Sequence, residues 1–230
     1  MSHSACKFIN EPGCNAPAAP AALTFQVGAA YCGDTPKYPA ISAAGRFILA
    51  SSSPRRAELL NLCDIDFTVI PPESEEVLDP NLSLPQAIEK IAYEKALSIH
   101  KKYPDYTVIG ADTVVTVDHL VLGKPKDPDH AFSMLRQLSG RMHHVITGVC
   151  ILSPGKDKIV FHDNSCVTFH ELSDLEITEY IQSGEPMDKA GSYGVQGKGA
   201  FLINKIDGDF YSVMGLPISQ VYRILKELDR

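Results

Sequence analysis

The sequence predicts a mixed α/β fold: a twisted mixed sheet with flanking helices, arranged as two lobes about a cleft. Three observations carry this. Short apolar runs, Phe47-Ile48-Leu49-Ala50 and Thr107-Val108-Ile109-Gly110, read as buried strands. Helical patterns alternate with such strands early in the chain, whereas hairpins intrude later. A length of 230 residues with 44% hydrophobic side chains is enough to bury a proper core.

The elements follow in order. The strand at 46–50 runs into Ser51-Ser52-Ser53-Pro54, and a proline after serine marks a helix start, continued by Arg55-Arg56-Ala57-Glu58-Leu59-Leu60. A second helix spans 85–101, with Ile88, Ile91, Ala92, Ala96 and Ile99 on one face. The strand at 107–110 leads into Ala111-Asp112-Thr113, and a hairpin through 114–122 turns at Asp118-His119. A helix over 129–138 ends before Gly140, a C-terminal cap residue. Two long strands, 143–152 and 158–170, are joined by Ser153-Pro154-Gly155-Lys156-Asp157. Ser173-Asp174-Leu175-Glu176 is a capping box that opens a helix ending near Gly184. Residues 184–199 form a polar loop, Asp207-Gly208 predicts a hairpin turn, and Pro217 starts a last amphipathic helix to Leu228.

Composition narrows the function classes. The formal charge is −7, which argues against a nucleic-acid coat or a membrane-surface role but leaves room for a small phosphate ligand held by local cations. No apolar stretch reaches the length of a membrane span. The six cysteines, at 6, 14, 32, 63, 150 and 166, form no CxxC pair and read as thiols of a reducing, cytoplasmic compartment. Residues 1–45 differ from the rest: Ala and Pro cluster at 16–22, and the charges Lys7 and Lys37 balance Glu11 and Asp34. That composition predicts a disordered N-terminal extension and leaves 46–230 as the folded domain.

Four groups of residues carry chemistry. Ser51-Ser52-Ser53-Pro54-Arg55-Arg56 puts hydroxyls, guanidiniums and a helix N-terminus together, the parts of a polyphosphate cradle; its bland reading is a capped helix with two exposed arginines. Asp112 stands where an α/β sheet binds ligands and suits a Mg²⁺ ligand or a water-orienting base; its bland reading is a turn cap. The acidic loop Glu73-Ser74-Glu75-Glu76, Lys95 and Lys124 each read singly as surface charge. The 184–199 loop holds five glycines in sixteen residues, a density that suits close backbone approach to a ligand.

Ile48–Arg56, Ile109–Thr113, Gly123-Lys124-Pro125, Leu138-Ser139-Gly140-Arg141, the 184–199 loop and Tyr211–Pro217, in this order, resemble the Maf family over residues 46–228. The resemblance implies a mixed α/β fold with a nucleotide-binding cleft and a pyrophosphatase that converts a nucleoside triphosphate to the monophosphate and pyrophosphate. It further implies a divalent metal, Mg²⁺ or Mn²⁺, whose ligands stay unassigned, and a homodimer. By motif position Asp112 resembles the general base. Ser51, Ser53, Arg55 and Arg56 line the phosphate site, Glu75 matches a cleft glutamate, and Lys95 and Lys124 match two cleft lysines. Arg55, Thr113 and Gln196 fall at the positions of base choice.

The loop Gly184–Gly197 resembles the branch acting on dTTP, UTP and 5-modified uridine triphosphates. The chemistry agrees: the Gln196 amide offers one donor and one acceptor, which pairs with the N3–H and carbonyl edge of uracil or thymine. Two alternatives stay open. One is a pyrophosphatase for a modified purine triphosphate, and the other is a non-enzymatic nucleotide-binding regulator of cell division.

Overall fold

The computed structural model describes residues 47–74 and 76–228. Its frame is one seven-stranded sheet: β1 (Phe47–Ala50), β2 (Phe67–Val69), β3 (Thr107–Val117), β4 (Leu120–Leu122), β5 (Met142–Leu152), β6 (Ile159–Phe169) and β7 (Ile203–Asp207). The order is β2-β1-β3-β5-β6-β7, with β4 paired to β3. β2 and β3 flank β1 in parallel, and every other pairing is antiparallel.

Among the described residues six α-helices cover the faces: α1 (Pro54–Asn61), α2 (Leu84–His100), α3 (Pro128–Leu138), α4 (Asp174–Gln182), α5 (Phe210–Met214) and α6 (Ile218–Leu228). On one face α2 packs Ala92, Ala96 and Ile99 onto Ile48, Val108 and Cys150, and Ile88 and Ile91 onto Val114 and Ile146. Two sheet glycines allow this. A Cβ on Gly110 would lie 2.4 Å from the Ala92 carbonyl oxygen, and one on Gly148 would lie 2.8 Å from that of Ile88. Only glycine admits a helix backbone this close to a sheet.

The opposite face carries two cores. One joins Leu59 and Leu60 of α1 to Ile109, Val149, Met214, Val221 and Leu225. The other joins Met134 and Leu135 of α3 and Ile177 and Tyr180 of α4 to Val115, Val145 and Phe169. These are the two halves expected from the sequence, and a single continuous sheet runs behind both.

Most elements fall where the sequence places them, with three differences. The strand at 107–110 and the first arm of the hairpin are one strand, β3, because its residues are buried almost throughout. Asp118 and His119 do form the turn to β4, both at positive φ. Asp207-Gly208 is not a hairpin turn. It ends β7, and Asp209 then caps α5 by accepting from the N–H groups of Tyr211 and Ser212. The cap satisfies donors that a hairpin would have paired across strands. The 184–199 loop is not irregular either, since it contains 3₁₀ turns at Glu185–Asp188 and Ala190–Ser192 and the start of another at Gly197–Leu202. The extension at 1–45 lies outside the described residues, as do Arg46 and Glu75.

Candidate active site

β1 pairs with β3 only as far as Ala50 opposite Gly110, and β4 pairs with β3 only from Val115. Among the described residues, 111–114 of β3 therefore have no strand neighbour on that edge. The gap opens a cleft lined by Ser51–Arg56, Glu76, Lys95, Asp112, Thr113, Lys124 and Gln196 among others. It sits beyond the C-terminal ends of the parallel strands, where open α/β sheets bind ligands.

Adjacent β3 residues point to opposite faces, and the site uses both. On the α2 face, Lys95 Nζ lies 2.6 Å from Asp112 Oδ1 and 2.6 Å from Glu76 Oε1. Lys95 and Asp112 are buried, while Glu76 is exposed at the rim. The approach of α2 allowed by Gly110 is what lowers Lys95 onto Asp112. Partial burial pushes the Glu76 carboxyl up, but the Lys95 hydrogen bond and the charges of Lys95, Lys124 and Arg56 together hold it below its ordinary value.

On the other face, Thr113 Oγ1 accepts from Arg56 Nη2 at 3.0 Å and donates to Thr147 Oγ1 at 2.9 Å, whose own proton goes to the Ser212 carbonyl. Arg56 also donates from Nε to the Gly215 carbonyl at 2.8 Å and from Nη1 to Ser51 Oγ at 3.3 Å. Burial pulls the Arg56 guanidinium below its ordinary value, against the opposing pull of Asp112 and Glu76. With three acceptors in fixed directions, Arg56 ties β3, the serine loop and the α5–α6 corner together.

The serine loop turns directly into α1. Ser53 is the N-cap but makes no capping hydrogen bond with its side chain, so the first-turn N–H groups of α1 are left for an anion. Ser51 Oγ accepts from Ser53 N at 3.1 Å, which shapes the loop. Arg55 projects across the cleft to Asp188 Oδ2 at 3.1 Å. Asp188 is pushed up by burial, yet Lys189 and Arg55 hold it below the ordinary carboxylate value. Gln196 is half-buried in the wall formed by the 184–199 loop.

The structure thus brings together Ser51, Ser53, Arg55, Arg56, Lys95, Asp112, Thr113, Lys124 and Gln196 in one cleft. The Glu75 assignment lies outside the described residues, and its neighbour Glu76 is the carboxylate on Lys95. Sequence reasoning missed Glu76 as the partner because three acids in an irregular loop give no periodicity by which to choose among them. It also missed Asp188, the only signal for which was its place inside the glycine-dense loop.

The donor set bears on a cation. Among the described residues no group of three or more His, Cys, Asp or Glu side chains converges on one point. Asp112 and Glu76 supply hard oxygen donors at the cleft. One or two carboxylates with substrate phosphates completing the shell is how Mg²⁺ is commonly held, so these residues fit Mg²⁺ or Mn²⁺ bound together with a triphosphate.

A family model described as Maf-like protein matches residues 46–228. A dTTP/UTP pyrophosphatase of Bacillus velezensis is 52% identical over 184 residues, which cover 80% of this chain and 97% of that protein. Another of the same description, from Aquifex aeolicus, is 50% identical over 184 residues, covering 80% and 96%. Among solved structures, a HAM1 protein from Coxiella burnetii overlaps 79% of this chain and 98% of its own, at 16% identity and a TM-score of 0.44, too loosely to bear on the site. The match spans the whole cleft and every element around it, and the chain belongs to the Maf family.

Proposed function

We propose that this protein is a nucleoside triphosphate pyrophosphatase that converts dTTP, UTP and 5-modified uridine triphosphates to the monophosphate and pyrophosphate. The observation that carries the reading is the Asp112–Lys95–Glu76 cluster, set across the sheet gap from the serine loop and α1 N-terminus. The two relatives named above bear that activity in their descriptions.

The triphosphate lies against Ser51, Ser53 and the α1 N-terminus, with Arg55 and Lys124 adding charge. Arg56, occupied by three protein acceptors, holds Ser51 and Thr113 in place. Lys95 is hydrogen-bonded to Asp112 Oδ1 and fixes the carboxylate; among the described residues nothing bonds Oδ2, which is left for water. Asp112 takes a proton from that water as its oxygen bonds to the α-phosphorus. The bond from the α-phosphorus to the bridging oxygen breaks, and its electron pair leaves on pyrophosphate. Glu76 at the rim would hold Mg²⁺ or Mn²⁺ together with the substrate phosphates, and the ion would supply charge neutralisation for them, while Asp112 Oδ2 stays with the water.

The Gln196 amide pairs with the N3–H and carbonyl edge of the pyrimidine. Clearance of non-canonical nucleotides from precursor pools is the role this chemistry suits. No helix among the described residues is long and apolar enough to cross a membrane. A cytoplasmic homodimer that binds no nucleic acid completes the reading, supported by the family resemblance, the acidic balance and the unpaired thiols of Cys63, Cys150 and Cys166.

Turnover of UTP in ¹⁸O-water tests the bond assignment. The label is expected in UMP, read by ³¹P NMR, and label in pyrophosphate would contradict attack at the α-phosphorus.

A further inference from the structure

Gln196 sits on a tight turn whose shape is held from behind. Glu185 Oε2 accepts from Lys198 N at 2.9 Å, and Oε1 accepts from Gly199 N at 3.2 Å. These are the second and third N–H groups of the 3₁₀ segment Gly197–Leu202, for which Gln196 is the N-cap with no capping bond from its own side chain. The Glu185 carboxylate thus supplies the cap from eleven residues away, with the charge sign that a helix N-terminus favours.

The other limb of the turn is held by the same group. Tyr180 OH donates to Glu185 Oε1 at 3.0 Å and accepts from Gly194 N at 3.1 Å. Residues 194, 198 and 199 are therefore pinned to one carboxylate–phenol pair, two residues before Gln196 and two and three after it. The closure is tight: a Cβ on Gly199 would lie 2.0 Å from the Gly194 carbonyl oxygen, and one on Gly197, at φ +68°, would lie 2.6 Å from Glu185 Oε2. Neither Glu185 nor Tyr180 lines the cleft. Tyr180 is buried in the core from α4, so the turn is anchored to a rigid element.

We propose that Glu185 and Tyr180 are positioning residues that set base selectivity by holding the turn that carries Gln196. The inference rests on the reading of Gln196 as the residue facing the base. A hydrogen-bonding side chain discriminates only while its donor and acceptor stay in register with the base edge. Loosening the turn moves Gln196 without touching Asp112, Lys95 or the serine loop.

The test uses the full chain with Glu185→Gln and Tyr180→Phe, measuring kcat and KM for UTP, dTTP, GTP and ATP. The variants are expected to narrow the ratio of kcat/KM between favoured and disfavoured bases by roughly 10–100-fold, chiefly through a higher KM for the favoured base. kcat at saturation is expected to stay within a few-fold of wild type. Tyr180→Phe removes one oxygen and leaves the ring packed, so it decides the matter if Glu185→Gln fails to fold. An unchanged base ratio in the folded variants, or an equal fall in kcat for every base, would overturn the proposal. A wild type that prefers a purine would overturn the pyrimidine reading alone, and the variants must then flatten that preference instead. A wild type that is indifferent to base would overturn both.

Discussion

Arg55 and Arg56 are neighbours in sequence with the same side chain, yet helix geometry turns them to different duties. Arg55 reaches across the cleft to Asp188 with its side chain 25% exposed, whereas Arg56 is buried on Ser51, Thr113 and Gly215. Arg56→Lys keeps the charge but cannot serve three acceptors in one plane. It is expected to lower stability by about 1–3 kcal/mol in urea denaturation, as buried acceptors lose their donor. Arg55→Lys should leave the denaturation midpoint nearly unmoved and reduce turnover. The sequence placed both arginines at the cleft, but the division between them was not legible. It depends on Gly215, which lies 159 residues beyond Arg56 and contributes only a carbonyl oxygen. Glu76 was likewise hidden among Glu73, Glu75 and Glu76, because only the fold shows which acid reaches Lys95.

At the scale of elements, the seating of α2 on β3 and β5 makes the site. Gly110→Ala places a methyl carbon against the Ala92 carbonyl, which must lift the helix. The expected cost is about 1–3 kcal/mol of overpacking, together with a loss of turnover as Lys95 withdraws from Asp112. A denaturation curve and a rate on the same sample check both.

Behind the 184–199 loop, His143 Nε2 lies 2.8 Å from Tyr193 OH, and both rings pack on Phe169. Burial lowers the His143 value from 6.5 to about 4. The unfolded chain therefore takes up this proton first as pH falls. Stability is full above pH 6.5 and is lost on descending toward 4, by about 3 kcal/mol in all. Carboxylates with depressed values, such as Glu76 and Asp188, lose their contribution only at lower pH, below about 4.5. Chemical denaturation at pH 7, 6 and 5 should show the decline, and His143→Gln should flatten it.

Elements with strong local signals were legible: the proline after Ser53, the capping box at Ser173 and the apolar face of α2 all appear where the sequence puts them. The Asp207-Gly208 turn was misread, because the next residue, Asp209, caps a helix and outweighs a two-residue hairpin signal.

Across the whole molecule, a gap along one side of β3 makes the cleft that the sequence placed between two lobes. β1 stops at Ala50, β4 ends opposite Val115, and the cleft between them receives groups from both faces of β3. That gap is a matter of register and strand length, which no local motif records, and so the sequence pointed to a cleft without its cause. Asp112 stands in the gap and bears the central claim. The most direct measurement is pyrophosphate release from a panel of nucleoside triphosphates with Mg²⁺ or Mn²⁺, by wild type and Asp112→Asn in parallel. The account predicts release chiefly from dTTP and UTP, reduced roughly 10²–10⁴-fold in the variant while its fold is retained. Equal release by a folded Asp112→Asn, or no release from any triphosphate by wild type, would contradict it.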